Sequence, residues 1–177
     1  TATQTVTVVD NANPTIVAPA ALTVNTTTAC TATGVVLGTP VTADNCSVAS
    51  VVNNAPTAFP LGNTTVTWTV TDAAGNTATA TQTITVTDNT APTFTNAPAN
   101  VTVDCGAIPA AATVTATDLC DPTITVSFNE TNAVVEGCGT ITRTWTATDN
   151  CGNSNTHTQI INVTDQTAPV FNETLPE

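Results

Sequence analysis

Acidic residues of three kinds recur at matching places along this chain of 177 residues. One kind ends a run of alternating residues, one stands in a TADN or TATD segment, and one begins a short DAAGN or DNCGN loop. The six residues are Asp10, Asp44, Asp72, Asp88, Asp118 and Asp149. Carboxylates, Asn side chains and backbone carbonyls are the hard oxygen ligands that Ca²⁺ prefers. The pattern therefore predicts bound Ca²⁺ and no other cofactor.

The same acidic positions have a simpler interpretation. Asp and Asn are favoured in turns because their side chains accept hydrogen bonds from nearby backbone N–H groups. All six positions fall in predicted turns, and no segment has the ligand spacing of an EF-hand loop. The calcium interpretation and the turn interpretation both stay open at this level.

The sequence contains no residue pattern that is typical of a catalytic site. The chain has one His, no Gly-rich phosphate loop and no arrangement typical of an activated Ser or Cys nucleophile. Its acidic residues recur from one part of the chain to the next, whereas a site for chemistry would normally occur once. The sequence therefore predicts that this chain is not an enzyme.

Charge and cysteine content limit the partners and the compartment. The net charge is −12, with 13 acidic residues against a single Arg or Lys, so a nucleic-acid partner is not expected. No apolar run is long enough to cross a membrane as a helix. Six Cys without a C-x-x-C pair favour disulfides in an oxidising compartment, which predicts a secreted, extracellular or cell-surface protein.

An internal repeat of about 77 residues organises the chain. Pro14, Pro92 and Pro169 stand in similar segments 78 and 77 positions apart, and the opening TATQTVTVVD returns as TATQTITVTD at residues 79–88. The predicted division is the last strand of a preceding repeat at 1–10, full repeats at 11–88 and 89–165, and the start of another at 166–177. This arrangement favours a window from a longer array. The alternative is a donor strand at 1–9 that completes the sheet of another subunit.

Each repeat is predicted to be all-β. Thr alternates with Val, Ile or Ala in long runs, and a DAAGN segment of hairpin type joins two of them. About seven short strands per repeat predict tandem immunoglobulin-like β-sandwiches. In such a fold Asp88, Asp118 and Asp149 would meet at the joint between the repeats, and Asp10, Asp44 and Asp72 at the joint before it. Short linkers that contain Pro should make these joints stiff.

The alternation of side chains along the strands predicts which face three further residues occupy. Trp68 and Trp145 alternate in phase with apolar residues and are predicted to anchor the two cores. Arg143 shares the face of Trp145, where it could stack on the ring or pair with Glu130 or Glu136.

Four cysteines of the second repeat allow three pairings. Cys138 and Cys151 flank a predicted strand of nine residues that spans roughly 30 Å, too far for a disulfide between them. Twin TATD loops place Cys120 near Cys151, so Cys120–Cys151 with Cys105–Cys138 is preferred. A counter-argument is equivalence, because Cys46 matches Cys120 in sequence and the two would be expected to pair in the same way.

The segment FPLGNTTVTWTVTDAAGNTATATQTITVTD, with PTIVAP, TADNC and DNTAP, closely resembles the HYR (hyalin repeat) family. The second repeat, with TATDLC and RTWTATDNCGN, is similar to a divergent relative found in surface proteins of Bacteroidetes. This resemblance implies an immunoglobulin-like fold without catalysis in long extracellular adhesins or filaments. Two family cysteines fall at Ala18 and Ala80 here, so the resemblance implies that the remaining pair, Cys30 and Cys46, is bonded.

The expected function is that of a stiff, disulfide-reinforced stalk. Its expected partners are neighbouring repeats of the same chain, and further candidates are surface polysaccharide or other filament copies. The alternatives are a carbohydrate- or protein-binding module that is itself adhesive, and an accessory domain of a secreted enzyme. A Thr array that binds ice is a smaller option, since β-propensity explains the Thr content more simply.

Overall fold

The computed structural model describes residues 1–170 and divides the chain into two compact units, Thr1–Asn89 and Thr90–Glu177. The division falls one residue after the end of the first predicted repeat. Both units are all-β, and residues 1–170 contain no helix. The predicted all-β, immunoglobulin-like class is thus confirmed.

A four-stranded sheet in the order β2-β8-β7-β5 forms the frame of the first unit. Its long hairpin runs through Asp72–Asn76, where Asp72 N–H donates to the Asn76 carbonyl at 3.0 Å. The short pairs β1-β4 and β3-β6 lie outside this sheet. The strands are β1 Thr15–Val17, β2 Leu22–Asn25, β3 Thr31–Thr33, β4 Val41–Ala43, β5 Val48–Asn53, β6 Ala58–Pro60, β7 Gly62–Asp72 and β8 Thr77–Thr87.

Alternation along β7 and β8 produces the first core. Val66, Trp68 and Val70 are buried, while the Thr residues between them face outward. Phe59 of β6 and Ala32 of β3 pack against this buried face and close the sandwich. Trp68 Nε1 donates to Gln82 Oε1 at 3.2 Å, which satisfies its only polar atom. The predicted role of Trp68 as a core anchor is confirmed.

The second unit repeats this plan with fewer strands. Its main sheet has the order β10-β14-β13-β12, and β11 pairs with β9. As in the first unit, one short strand joins the sheet in parallel, here β10 beside β14. The strands are β9 Thr93–Phe94, β10 Val101–Asp104, β11 Ala116–Thr117, β12 Thr125–Val135, β13 Cys138–Thr148 and β14 Ser154–Thr164.

Trp145 and Arg143 lie on the inner face of the second sheet, as their phase predicts. Trp145 is buried and contacts the ring of Phe128 at a centroid distance of 5.2 Å. Arg143 Nε donates to Glu130 Oε2 at 2.7 Å, so the predicted ion pair with Glu130 is the one that forms. The guanidinium also donates to the carbonyls of Pro109 and Ala110 at 2.8 and 3.2 Å. The arginine thus ties the segment before β11 to the sheet.

Residues 1–10 belong to no strand of the structure, and Val6 and Val8 are exposed. Asp10, however, contacts the first unit through its backbone and side chain. The interpretation of residues 1–10 as a strand of a preceding repeat stays a prediction. So does the interpretation of 166–177, of which residues 171–177 lie outside the described part.

Candidate functional site: carboxylate clusters at the ends of the sandwiches

Asp72 and Asp149 are held in equivalent turns at the tips of the two long hairpins. In the first unit, Asn76 N–H donates to Asp72 Oδ1 and Asn76 Nδ2 donates to Asp72 Oδ2, both at 2.8 Å. Asn153 makes the same two bonds to Asp149, also at 2.8 Å. The fifth residue of the DAAGN and DNCGN loops is therefore the partner of the first. The recurrence of this Asn signals its role in the sequence.

The pKa values of both hairpin carboxyls lie below the usual range of Asp. Burial by itself raises the pKa of Asp72, but hydrogen bonds from the side chain and backbone of Asn76 outweigh burial and lower it. The same balance, with Asn153 as the donor, lowers the pKa of Asp149. Both side chains are therefore carboxylates at neutral pH, as a cation site requires.

Asp44 and Asp118 occupy the matching loops after β4 and β11. Cys46 and Ser47 N–H groups donate to Asp44 Oδ2 at 2.8 and 2.9 Å. Asp118 Oδ1 accepts the N–H of Cys120 at 2.7 Å. These bonds are the turn chemistry that the sequence allows as the simpler explanation. In Asp44 these bonds use only Oδ2. The other carboxylate oxygen, Asp44 Oδ1, is buried and has no hydrogen-bond partner.

Asp10, Asp44 and Asp72 come together in the first unit. One carboxylate oxygen of each lies within 4.8 Å of the others. Asp10 Oδ1 accepts Asn45 Nδ2 at 3.3 Å, and the Asp10 carbonyl accepts Asn76 Nδ2 at 3.3 Å. The structure therefore brings together the first predicted triad. Three close carboxylates and an orphaned buried oxygen fit a hard cation such as Ca²⁺.

The second predicted triad is divided between the two units. Asp88 belongs to the first unit, where it is buried, and Asp118 and Asp149 belong to the second. Within the second unit, Asp121 joins the two loops, because Asn150 N–H donates to its Oδ2 at 2.8 Å. Sequence comparison missed Asp121 because the first repeat has no acidic residue after Cys46. A joint site of Asp88, Asp118 and Asp149 stays a prediction.

The structure contradicts the predicted Cys30–Cys46 bond. Cys46 is a free thiol beside the hairpin tip, next to Ser47, whose carbonyl accepts Ala73 N–H. Cys30 follows β2, whose last residue pairs with Thr87 at the far end of β8. An eleven-residue strand spans roughly 35 Å, whereas disulfide Cα atoms lie within about 7 Å. The two cysteines are thus at opposite ends of the sandwich.

Cys46 instead lies among the carboxylates of the triad. A hydrogen bond to Asp10, with the negative charges of Asp10 and Asp44 close by, raises the pKa of its thiol. Cys46 is therefore protonated at neutral pH, and it is less reactive than an ordinary exposed thiol.

Cys105 and Cys138 are also free thiols, so the predicted bond between them is not formed in the structure. They do occupy the same corner of the second unit. Asp165 N–H donates to Cys138 Sγ at 3.4 Å, and the Asp165 carboxylate lies within 4.8 Å of Cys105 Sγ. Cys120 and Cys151 stand in the loops that Asp121 joins, as predicted from their twin sequences. The predicted bond between them is not formed, because Cys120 is disulfide-bonded to a cysteine other than Cys151.

Known protein families account for most of the chain. Residues 9–86 match the model of the HYR domain, and residues 93–163 match that of the HYR-like domain with 4 cysteines. The second match contains all four cysteines of the second unit. No curated protein matches the chain significantly. None of the described residues forms a helix long and apolar enough to cross a membrane.

Solved cadherin structures resemble the chain only weakly. N-cadherin EC1-4 from Drosophila has 12% identity and a TM-score of 0.43; the match covers 87% of this chain and 50% of the cadherin. Human mucin-like protocadherin EC1-2 has 12% identity and a TM-score of 0.37, with 86% and 98% covered. This chain thus spans half the length of the N-cadherin structure, and such scores carry no functional argument. Each unit thus matches one domain model of HYR type, the first unit the HYR domain and the second the HYR-like domain with 4 cysteines.

Proposed function

We propose that this chain is a non-catalytic repeat segment of a long extracellular adhesin or surface filament, of the type found in bacteria, and that it acts as a stiff stalk. HYR-type domains support an extracellular, adhesion-type repeat module. The observation that carries the stalk proposal is that the chain leaving each unit is hydrogen-bonded to the unit it leaves. Hydrogen bonds of this kind restrict the direction in which the linker leaves the unit, so the linker is stiff as well as connecting.

Asn25 holds the chain that leaves the first unit. Asn25 Oδ1 accepts Asn89 Nδ2 at 2.8 Å and Thr87 Oγ1 at 3.1 Å. Thr26 N–H donates to the Thr87 carbonyl at 3.0 Å, so the parallel pairing of β2 with β8 continues to the last residue of β8.

Asp104 occupies the matching position in the second unit. Its carboxylate accepts Gln166 N–H at 2.9 Å and Thr167 Oγ1 at 3.1 Å. Thr167 N–H also donates to Asp165 Oδ1 at 2.9 Å. Two units with different side chains thus fix the departing chain at the same place, which favours a mechanical role.

Disulfide reinforcement at the same corner is the second part of the proposal. A Cβ atom built on Gly137 would lie 3.7 Å from Cys105 Sγ, and Gly137 precedes Cys138 in the chain. In an oxidising compartment, closing Cys105–Cys138 would link β10 to the β12–β13 hairpin. This bond would tie the strand that ends at Asp104 to the sheet and stiffen the exit of the chain.

Small-angle X-ray scattering of the whole chain tests the stalk. We expect a narrow distribution of sizes under oxidising conditions, and a broader distribution for the double variant Asn25→Ala/Asp104→Ala. Ser50→Ala, on an exposed edge strand, is the control. A broad distribution for the wild-type chain itself would exclude a stiff stalk.

The third part of the proposal is that Ca²⁺ binds at the ends of the repeats. Asp10, Asp44 and Asp72 would hold the ion in the first unit, and the predicted joint set is Asp88, Asp118 and Asp149. Bound Ca²⁺ would neutralise carboxylates that otherwise repel one another and would stabilise the folded state by mass action.

A thermal melt with and without about millimolar Ca²⁺ tests this site, because extracellular modules bind in that range. We expect a rise in Tm that Asp44→Asn removes for the first unit and Asp88→Asn for the joint. Asp121→Asn, outside both triads, should keep the rise. Equal Tm values with Ca²⁺ and with EDTA would show that the carboxylates act only as turn residues.

One observation favours a second function, binding of carbohydrate or protein by the repeat itself. Phe128 is 47% exposed and, with Trp145 and residues 111–114, lines a groove of about 260 Å³. Exposed aromatic rings are typical of ligand platforms. Binding of soluble polysaccharides that disappears in Phe128→Ala would support this function; equal binding by both proteins would argue against this groove.

A further inference from the structure

Strand β12 is an open edge of the second sheet, on which the Asn132 side chain accepts the N–H of Val134 at 2.9 Å. It has eleven residues and pairs with β13 without a break, from Thr125↔Thr148 to Val135↔Cys138. No other strand of residues 1–170 pairs with it, and nine of its residues are exposed. The unpaired N–H and C=O groups of such an edge are a template for a further strand.

The matching edge of the first unit is protected in two ways. Strand β5 has only six residues, and its register with β7 shifts between Val48 and Ser50. Short strands and bulges are devices that prevent edge-to-edge pairing. Strand β12 has neither device, although the two edges occupy the same place in their sheets.

Charge also distinguishes β12 within this acidic chain. Its only ionisable residue is Glu130, which pairs with Arg143 at 2.7 Å, and the chain has no other Lys or Arg. The single cationic side chain of a chain with net charge −12 therefore neutralises the edge strand. Glu136 lies beyond the strand, in the turn.

We propose that β12 pairs antiparallel with β12 of a second copy and joins two four-stranded sheets edge to edge. An antiparallel pair of identical strands is self-complementary under two-fold symmetry. Full overlap places Glu130 of both copies opposite each other, an arrangement that is tolerable because each is already paired with Arg143. The side chains of Phe128 and Val135, which are exposed in the single chain, would become less exposed to solvent.

This inference extends the proposed stalk to side-by-side bundling of copies. The remaining surface is acidic, so two copies repel each other at low salt and associate more readily as salt screens the charge. Failure of the pairing would leave the stalk proposal intact, since stiffness is measured on the single chain.

Sedimentation equilibrium of the whole chain tests the pairing, with a reductant present to exclude disulfide-linked dimers. We expect a monomer–dimer equilibrium that shifts toward dimer between about 0.05 and 0.5 M NaCl. Asn129→Asp/Thr131→Asp adds like charges that face each other in the overlap and should raise the dimer Kd about tenfold or more. Ser50→Asp/Val52→Asp adds the same charges to β5 and should leave Kd unchanged.

Each other outcome overturns the proposal. A wild-type chain that stays monomeric at about millimolar concentration and high salt has no such edge contact. Equal dimer constants for the wild type and the β12 variant would place the contact elsewhere. Loss of the dimer on deletion of residues 1–9, without an effect of the β12 variant, would assign it to a donor strand. Circular dichroism and the emission of Trp68 and Trp145 show whether each variant keeps its fold.

Discussion

At the scale of single residues, polar side chains hold this protein together where aromatic packing is scarce. Aromatic residues make up only 3% of the sequence. Gln82 Nε2 donates to the carbonyls of Ala20 and Leu37 at 2.8 and 3.0 Å. In the second unit, Gln159 donates to the Ala99 carbonyl at 2.8 Å. Buried side chains thus bind loop carbonyls that would otherwise lack a partner.

Arg143 carries the largest share of this work in the second unit. Arg143→Ala would leave the Glu130 carboxylate and two loop carbonyls without their donor, so we expect the unfolding free energy of this unit to fall by about 2–4 kcal/mol. Chemical denaturation followed by fluorescence measures the loss. The first unit serves as the internal control, and an unchanged second transition would contradict the role of Arg143.

Asp104 makes the exit from the second unit dependent on pH. The backbone N–H of Gln166 and the hydroxyl of Thr167 lower the pKa of this carboxyl, against a smaller effect of burial that raises it. Its stabilisation is complete above the unfolded pKa of about 3.9 and is lost as pH falls through the folded pKa. Asp165, Cys105 and Cys138 are the other titratable groups at this corner.

Amide NMR tests this dependence. We expect the Gln166 amide resonance of the wild type to move with a midpoint below about pH 3.9, and to stay fixed in Asp104→Asn. Thr26, which donates to the Thr87 carbonyl beside the neutral Asn25, is the matched reporter in the first unit. A Gln166 resonance that titrates equally in both proteins would contradict the assignment to Asp104.

At the scale of elements, the backbone conformation of two residues determines the turn of the β12–β13 hairpin. Glu136 and Gly137 form its two-residue turn with φ of 49° and 84°, values that suit a type I′ turn. The sequence prediction did not identify this hairpin, because the segment NETNAVVEGCG lacks the regular Thr alternation of the other long strands. Gly139, two residues later, approaches the opposite strand more closely than a side chain allows.

Gly139→Ala should therefore be among the most damaging small substitutions. Its φ is +146°, and an added Cβ would lie 2.3 Å from the Ala133 carbonyl oxygen. We expect a loss of about 2–3 kcal/mol for the second unit by thermal denaturation, since the backbone must move to relieve the contact. Gly75→Ala, with φ of +97° and no atom within 4 Å, should cost about 1–2 kcal/mol. Equal losses would contradict the steric argument.

At the scale of the whole molecule, cysteine placement separates the two units. The first has a free thiol in an acidic cluster, and the second has Cys105 and Cys138 at the corner where the chain departs. Disulfides matter for domains this small because their cores are limited.

Peptide mapping of the chain after oxidative refolding checks this arrangement. We expect Cys105–Cys138 to form, and its reduction to lower the stability of the second unit by about 2–4 kcal/mol. Cys105→Ser/Cys138→Ser should reproduce that loss without a reductant. Recovery of Cys105 as a free thiol after oxidation would exclude the bond.

The sequence by itself determines the repeat, the all-β class and the buried faces. These follow from period-two alternation and from Trp68 and Trp145 at matching positions, which depend only on neighbouring residues. It also identifies Asp10, Asp44 and Asp72 as a group, because equivalent loops of a sandwich meet at one end. Alternation cannot show which strand end a loop occupies, and tertiary structure alone separates Cys30 from Cys46 by the length of β8. It alone also selects Glu130 for Arg143 and leaves β12 as an open edge, because register and strand order depend on long-range pairing.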